Sequence, residues 1–342
     1  MDHLTYAVPA RLHAEKGGAS TSLPSHRPVR LPCLPCCRQS SLEGIEMRVL
    51  VAFWHENIKA CRAAEVILSH LRRCSVGFEV VDLDEIPACS EALGDTCGLL
   101  QDGRLSEPFR FMVVLGGDGS VLRASRLAAL LDVPILGVNC GHLGYLSGSE
   151  SPSPLAPVQA ALEGECRTEV LPTLEIELLW GPSEAKENRP HRLFALNDVS
   201  VNRSPSMNAM EYAVGISGCE IATMRGDGVV VSSSTGSTAY ALSAGGPLLA
   251  PSNKGLVIVP IAPHTLSSRA VVTGQDDFVE IRFGPFGERA GDGPSIKVDG
   301  ESLGLEYPPD GLGIRSGAAS VRLLRMKGEC FYERASSVFF GR

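Results

Sequence analysis

The sequence predicts an N-terminal Rossmann-like α/β domain followed by a mostly β sandwich domain. Three observations carry that prediction. Between residues 48 and 138, short apolar runs alternate with stretches of helical period, the pattern of a parallel sheet covered by helices. The run Phe111-Met-Val-Val-Leu115 passes straight into Gly116-Gly-Asp-Gly119, as expected of a strand buried on both faces and ended by a glycine turn. Beyond residue 172 the texture changes to short segments in which apolar and polar residues alternate between Gly, Asn and Pro turns, as in a β-sandwich.

In chain order, Arg48–Phe53 reads as the first strand. A helix is expected near 57–73, where Ile58, Cys61, Ala64, Ile67, Leu68 and Leu71 keep close to a 3.6-residue period. Phe78–Leu83 is the second strand, and 84–108, with Pro87, Gly94, Gly98 and Gly103, reads as a flexible or lid-like insertion. After the strand at 111–115, Ser120 is placed to cap a helix running to Leu131, and Val133–Val138 follows as a strand. In such sheets ligands bind beyond the carboxyl ends of the strands, so Gly116–Ser120 and Asn139–Gly144 are expected to face each other on one rim. The Ser/Pro cluster Ser149–Pro157 marks a boundary, and a short helix spans about 155–163.

The β domain is expected to contain strands at Thr173–Leu178, Leu193–Asn202, Glu211–Ser217, Glu220–Met224, Val229–Ser232, Leu256–Pro260, Phe278–Phe283, Ser295–Val298 and Ala319–Leu324, with one helix beginning near Ser237. The organisation is therefore a tail (1–46), an α/β domain (47–150), a sandwich (151–325) and a C-terminal segment (326–342) that returns to the first domain.

With 342 residues, 44 % of them hydrophobic and 20 % charged, the chain has the composition of a globular two-domain protein. Its formal net charge of −8 argues against nucleic acid or an anionic membrane as partner, and no apolar run is long enough to span a bilayer. The first 46 residues, with five prolines, scattered Ser and Arg and no period, read as a disordered extension upstream of a natural start at Met47. Eleven cysteines in no disulfide pattern point to reduced thiols and a cytoplasmic location. Cys33, Cys36 and Cys37 form half a zinc site without a second pair, and Cys61, Cys140 and Cys219 read as buried small hydrophobes.

Three stretches carry chemistry. A glycine turn between a buried strand and a helix offers backbone N–H groups and the positive helix end to an anion. Asp118 is the exception in that turn, because a carboxylate repels phosphate; it reads as a proton acceptor or cation ligand. In Arg225–Tyr240 a second buried strand ends in Ser232-Ser-Ser-Thr-Gly-Ser-Thr-Ala-Tyr240, whose hydroxyls and helix start suit a sugar, an adenine edge or a phosphate. Asn197-Asp198 places adjacent polar side chains in an otherwise apolar strand, one expected on each face.

Taken together, Gly116-Gly-Asp-Gly119, Gly137-Val-Asn-Cys-Gly-His-Leu-Gly-Tyr-Leu146, Asn197-Asp198, Asp227–Tyr240, Ser243-Ala-Gly-Gly-Pro247, Pro260-Ile-Ala-Pro-His-Thr-Leu266 and Val298-Asp-Gly300 resemble the NAD kinase family, in the family's order, from Met47 to the C-terminus. The resemblance implies transfer of the terminal phosphate of ATP, or of polyphosphate, to the 2′-hydroxyl of the adenosine ribose of NAD, making NADP. It implies Asp118 as proton acceptor and Gly119 against the dinucleotide. Asn197, Asp198, Asn208, Arg225 and Asp227 are implied in dinucleotide binding. Thr235, Thr238, Ala239, Tyr240, Ala241, Leu242 and Ser243 would line the adenosine pocket, with Ala262 and Glu301 completing it. A homo-oligomer, dimer or tetramer, is implied, with some contacts from a neighbouring subunit. Few cationic residues fall in these motifs, so a divalent metal, Mg²⁺ with ATP, is expected to neutralise the phosphates. The family generally has Asn-Glu where this chain has Asn197-Asp198, a Thr-Pro at Ser233-Ser234, whose loss loosens the turn, and often Gln at Glu301; His142 stands where the loop varies. A lipid kinase of the diacylglycerol type shares the glycine loop, but the acidic balance gives no basic membrane face. A dinucleotide-binding regulator without turnover is disfavoured by Asp118.

Overall fold

The computed structural model describes residues 48–86, 105, 108–141, 144–148, 153–181, 192–265, 267–285, 293–305, 307–328 and 330–340. All belong to one compact unit, Glu46–Arg342. Residues 1–46, with their three clustered cysteines, and most of the expected lid segment lie outside the described residues.

The described residues form three six-stranded sheets. The first begins β1 (Arg48–Phe53), α1 (Ile58–Arg73), β2 (Gly77–Asp82), a 3₁₀ turn at Leu83–Glu85, β3 (Phe111–Gly116), α2 (Asp118–Leu131), β4 (Ile135–Asn139), α3 (Leu155–Glu163) and β5 (Arg167–Leu171). With β18 (Val321–Arg325) from near the end of the chain, strand order is β2-β1-β3-β4-β18-β5, parallel from β2 through β18, with β5 antiparallel at the edge. Every residue of β3 is buried, as its unbroken apolar run requires. Helix α1 starts on Asn57, whose side-chain oxygen accepts from the N–H groups of Lys59 and Ala60 at 3.1 and 3.2 Å, and it buries Ala60, Ala64, Ile67 and Leu71 along one stripe. Helices α1 and α3 cover one face of the sheet and α2 the other. The chain leaves β1 toward β2 and β3 toward β4, in opposite directions, so the carboxyl ends of β1 and β3 flank the topological switch point where such sheets bind ligands.

The sandwich contains β6 (Leu174–Leu179), β7 (Arg192–Ala195), β8 (Asp198–Asn202), β9 (Met210–Ile216), β10 (Cys219–Gly226), β11 (Gly228–Ser232), a 3₁₀ turn at Gly236–Thr238, the short helix α4 (Tyr240–Ser243), β12 (Val257–Ile261), β13 (Val271–Val272), β14 (Val279–Phe283), β15 (Ser295–Val298), β16 (Glu301–Ser302) and β17 (Gly311–Ser316). One sheet runs β10-β9-β14-β17-β6-β7 and the other β13-β12-β11-β8-β15-β16. Their inward residues, Leu174, Ile176 and Leu178 from β6 with Val199, Val201, Val229 and Val231 from the opposite sheet, share one core. Phe194 and Leu196, at the end of β7, instead join the core of the first sheet beside Val121, Ala124 and Leu127 of α2.

Several expectations are corrected. The segment 193–202 is two strands in different sheets, broken at Leu196-Asn197, so Asn197 and Asp198 do not alternate across one strand. The strand expected at 319–324 is β18 (Val321–Arg325), and it inserts between β4 and β5 of the first sheet rather than in the sandwich. Ser120 is not a cap: α2 starts one turn earlier, on Gly117, with no side-chain cap bond. Cys219 is exposed, and Cys61 and Cys140 are only part-buried. The helix expected from Ser237 is a 3₁₀ turn followed by one turn of α-helix from Tyr240. Helix α5 (Phe331–Phe340) ends the described chain, with Phe331 and Phe339 against the ring of Tyr145.

Candidate active site

The two loops expected to share a rim do so. Gly116 and Asn139 are register partners at the ends of β3 and β4. Beyond them, Asp118, the first residue of α2, turns its carboxylate onto three backbone N–H groups: Tyr145 donates to Oδ2 at 2.6 Å, and Leu146 and Ser147 to Oδ1 at 2.8 and 2.9 Å. A carboxylate has about four acceptor positions, so this clasp leaves one, on Oδ2. The clasp depends on Gly144, because a Cβ there would fall 2.1 Å from Asp118 Oδ1 and 2.5 Å from Ser147 Oγ. Gly119 is the opposite case. A Cβ there meets nothing within 4 Å, so its bareness serves no internal packing and leaves clearance for a ligand.

Asn197 and Asp198 form the second element. Both are buried, at 8 % and 5 % exposure. Their backbone is held by Asp299, whose carboxylate accepts from the N–H groups of Leu196, Asn197 and Asp198 at 2.8, 2.7 and 3.2 Å, while its own N–H donates to Asp198 O at 2.9 Å. Asp299 adopts φ +50°, the left-handed region that Asp tolerates in an Asp-Gly turn. Burial, and then the neighbouring Asp299 carboxylate, push the Asp198 carboxyl up to about 7. Burial likewise raises Asp299 to about 6, against the lowering effect of its three backbone bonds and of Arg126. Asn197 Oδ1 is buried with no partner among the described residues, the kind of orphaned acceptor that a ligand donor can satisfy.

Helix α2 connects the two elements. It carries Asp118 at its start and Arg126 facing Asp299, and its Arg123 donates from Nη1 to Glu301 Oε1 at 2.8 Å and from Nε to Leu83 O at 3.2 Å. Glu301 is thus placed at the junction by an arginine that sequence reasoning did not single out.

The serine-rich turn is tied rather than loose. Ser233 Oγ donates to Leu196 O at 2.6 Å and accepts from Gly236 N at 3.2 Å, and Ser232 Oγ donates to Asn197 O at 3.1 Å. These bonds fix what a proline would otherwise restrain. Thr238 Oγ1 donates to Thr235 O at 2.9 Å inside the turn, whereas the buried Thr235 directs its hydroxyl to Pro172 O, 3.5 Å away on the segment between β5 and β6. Tyr240 is exposed, and its hydroxyl donates to Asn202 Oδ1 at 3.2 Å; burial, then Asp198 and Asp227, raise its pKa. Ala239 and Leu242 are half-buried and Ser243 is exposed, whereas Ala241 is fully buried against Val230, Val257 and Val259 and offers no side chain to a ligand. Asp227 accepts from Arg203 Nε at 2.6 Å, and Arg203 Nη1 donates to Met207 O, next to the exposed Asn208. Arg225 and Ala262 are exposed beside this cluster, joined through the bonds from His264 N to Arg225 O and from Asp227 N to Ile261 O.

An α/β domain with a carboxylate at a glycine-rich helix start, closed against a sandwich turn, is the build of a small-molecule kinase. Residues 102–164 match the ATP-NAD kinase N-terminal domain and residues 196–326 the ATP-NAD kinase C-terminal domain. NAD kinase of Cupriavidus pinatubonensis is 41 % identical over 223 residues, 64 % of this chain and 69 % of the relative. NAD kinase of Symbiobacterium thermophilum is 34 % identical over 247 residues, covering 72 % and 84 %. Among solved structures, yeast NADH kinase complexed with NADH superposes with a TM-score of 0.72 at 20 % identity, over 87 % of this chain and 88 % of that one. An NAD kinase from Archaeoglobus fulgidus in complex with ATP gives 0.60 at 23 % identity, over 86 % and 98 %. The chain belongs to the NAD kinase family, and its reaction is the phosphorylation of NAD.

Proposed function

We propose that Asp118 is the proton acceptor of this reaction. The observation that carries the reading is the clasp itself: three N–H groups fix the carboxylate and leave one lone pair of Oδ2 for a hydroxyl. The 2′-hydroxyl of the adenosine ribose gives its proton to Oδ2 as its oxygen bonds to the terminal phosphorus of ATP. The bond from that phosphorus to the bridging oxygen breaks, and ADP leaves. Phosphoryl transfer depends chiefly on positioning and charge neutralisation, so a rigidly held acceptor suits it. Asn197 and Asp198 bind the dinucleotide, the orphaned Asn197 Oδ1 and the raised Asp198 carboxyl supplying hydroxyl or amide partners. In this reading Tyr240, Ser243 and Glu301 also bind the dinucleotide, and Asn208, Arg225 and Ala262, all exposed in the single chain, act across a homo-oligomer contact, in a dimer or tetramer.

A divalent cation, Mg²⁺, enters with ATP and neutralises its phosphates. Asp118 has a single acceptor position left on Oδ2, so it could offer such an ion at most one oxygen, and the ion would supply charge neutralisation at the phosphates. Among the described residues no helix is long and apolar enough to cross a membrane. The test is an assay of NAD with ATP or polyphosphate in parallel, each with Mg²⁺, coupled to an NADP-specific dehydrogenase. NADP formation with ATP is expected; a folded protein that forms none with either donor overturns the reading.

A further inference from the structure

Behind the clasp on Asp118 lies a second row of interactions. The carbonyls of the clasping peptides are themselves held by cations. Arg325, at the end of β18, donates from Nη1 to Leu146 O at 3.0 Å and from Nη2 to Tyr145 O at 3.1 Å. Arg334 of α5 donates from Nη1 to the same Tyr145 O at 2.9 Å. The C=O of Tyr145 and the N–H of Leu146 are opposite ends of one planar trans peptide, and so are the C=O of Leu146 and the N–H of Ser147. Each of these peptides therefore has a guanidinium at its oxygen and the Asp118 carboxylate at its hydrogen, both aligned with a peptide dipole of about 3.5 D. Charge-assisted bonds at both ends of a peptide polarise it and strengthen one another.

The arginines are themselves fixed. Arg325 is 2 % exposed, and its Nε donates to Glu169 Oε2 at 2.8 Å on the neighbouring strand β5. Arg334 lies over the Tyr145 ring, 5.5 Å from its centroid, and that ring packs on Phe331 and Phe339. Burying a guanidinium is costly unless its donors are paired, and here Glu169 and the two carbonyls take them, so moving those carbonyls would leave buried donors unsatisfied.

We propose that Arg325, assisted by Arg334, is a positioning residue for Asp118, acting through the 145–146 and 146–147 peptide groups. The last strand and helix are then part of the catalytic apparatus rather than an appendage to the first domain. This rests on Asp118 being the proton acceptor. Loss of either arginine frees the clasping segment to rotate its N–H groups away from Oδ1, so the carboxylate loses its aim while the dinucleotide contacts around Asn197 stay intact.

The test is steady-state kinetics of Arg325→Gln, Arg325→Lys and Arg334→Gln, each alone and combined with Asp118→Asn. Arg334→Gln is expected to lower kcat about 10-fold, and Arg325→Gln about 100-fold, with KM for NAD within about twofold of the parent. Arg325→Lys should recover part of the loss. In the Asp118→Asn background the arginine changes should add little, because nothing is left to aim. Equal losses in both backgrounds, or a rise in KM that accounts for the loss, overturn the proposal. Should Arg325→Gln fail to fold, Arg334→Gln alone decides on the same criteria. Near-normal turnover of Asp118→Asn by itself overturns the earlier reading of the base, and is distinguishable because it needs no arginine variant.

Discussion

Asp198→Asn makes the enzyme more stable and less functional, in a pH-dependent way. In the unfolded chain the carboxyl titrates near 3.8; in the folded protein burial and Asp299 raise it to about 7. Between those values the folded state binds the proton that the unfolded state has released. The stability contributed by the protonated carboxyl is therefore complete below about pH 4 and is lost as pH rises through 7. A shift of that size corresponds to about 4 kcal/mol once the group is ionised. An amide removes the charge but still needs buried partners, which returns about 1–2 kcal/mol of the gain. The expected net gain at pH 8 is about 2–3 kcal/mol, or a Tm higher by about 3–5 °C. At pH 5, where Asp198 is protonated in the folded state, the difference between variant and parent should fall toward zero. Scanning fluorimetry of both proteins at the two pH values measures this, and KM for NAD should rise about tenfold in the variant. An equal Tm difference at both pH values, or a lower Tm at pH 8, refutes the reasoning.

Other outcomes follow from the same geometry. Gly119→Ala should keep or slightly raise Tm, since its Cβ meets nothing in the protein, while KM for NAD rises; Gly144→Ala should lower both Tm and kcat, because its Cβ would strike Asp118. Chelation of divalent metal should abolish turnover and leave Tm within about 1 °C, as fits an ion carried by ATP rather than held by the fold. Glu301→Gln weakens its bond with Arg123 and, at a part-exposed site, should cost no more than about 1 kcal/mol of stability, read from urea midpoints.

Much of the fold was legible because burial writes itself into residue period. The run 111–115 and the stripe on α1 could hardly be anything but a buried strand and an amphipathic helix. Period does not say which sheet a strand joins, so β18 was assigned to the wrong one. Strand β17 went unseen because Gly311 and Gly313 dilute its apolar signal. Gly313 is there because a Cβ would fall 2.5 Å from the Phe278 ring. The break at Leu196-Asn197 was hidden by apolar residues on both sides, and only the Asp299 clamp reveals why the chain turns there. In the candidate site, the glycine loop, Asn197-Asp198 and the serine turn stood out as residue types. Arg325 and Arg334 did not, because they act on backbone carbonyls, which carry no side-chain signature. Within Val321-Arg-Leu-Leu-Arg325 the available hint is that Arg325 falls in step with Val321 and Leu323, the residues of the inward face.

The most direct test of the central claim is turnover of Asp118→Asn, with NAD binding measured alongside by calorimetry. The account predicts kcat lowered by on the order of 10² or more, with Kd for NAD within about threefold of the parent. Turnover close to that of the parent, in a variant that still binds NAD, would contradict it.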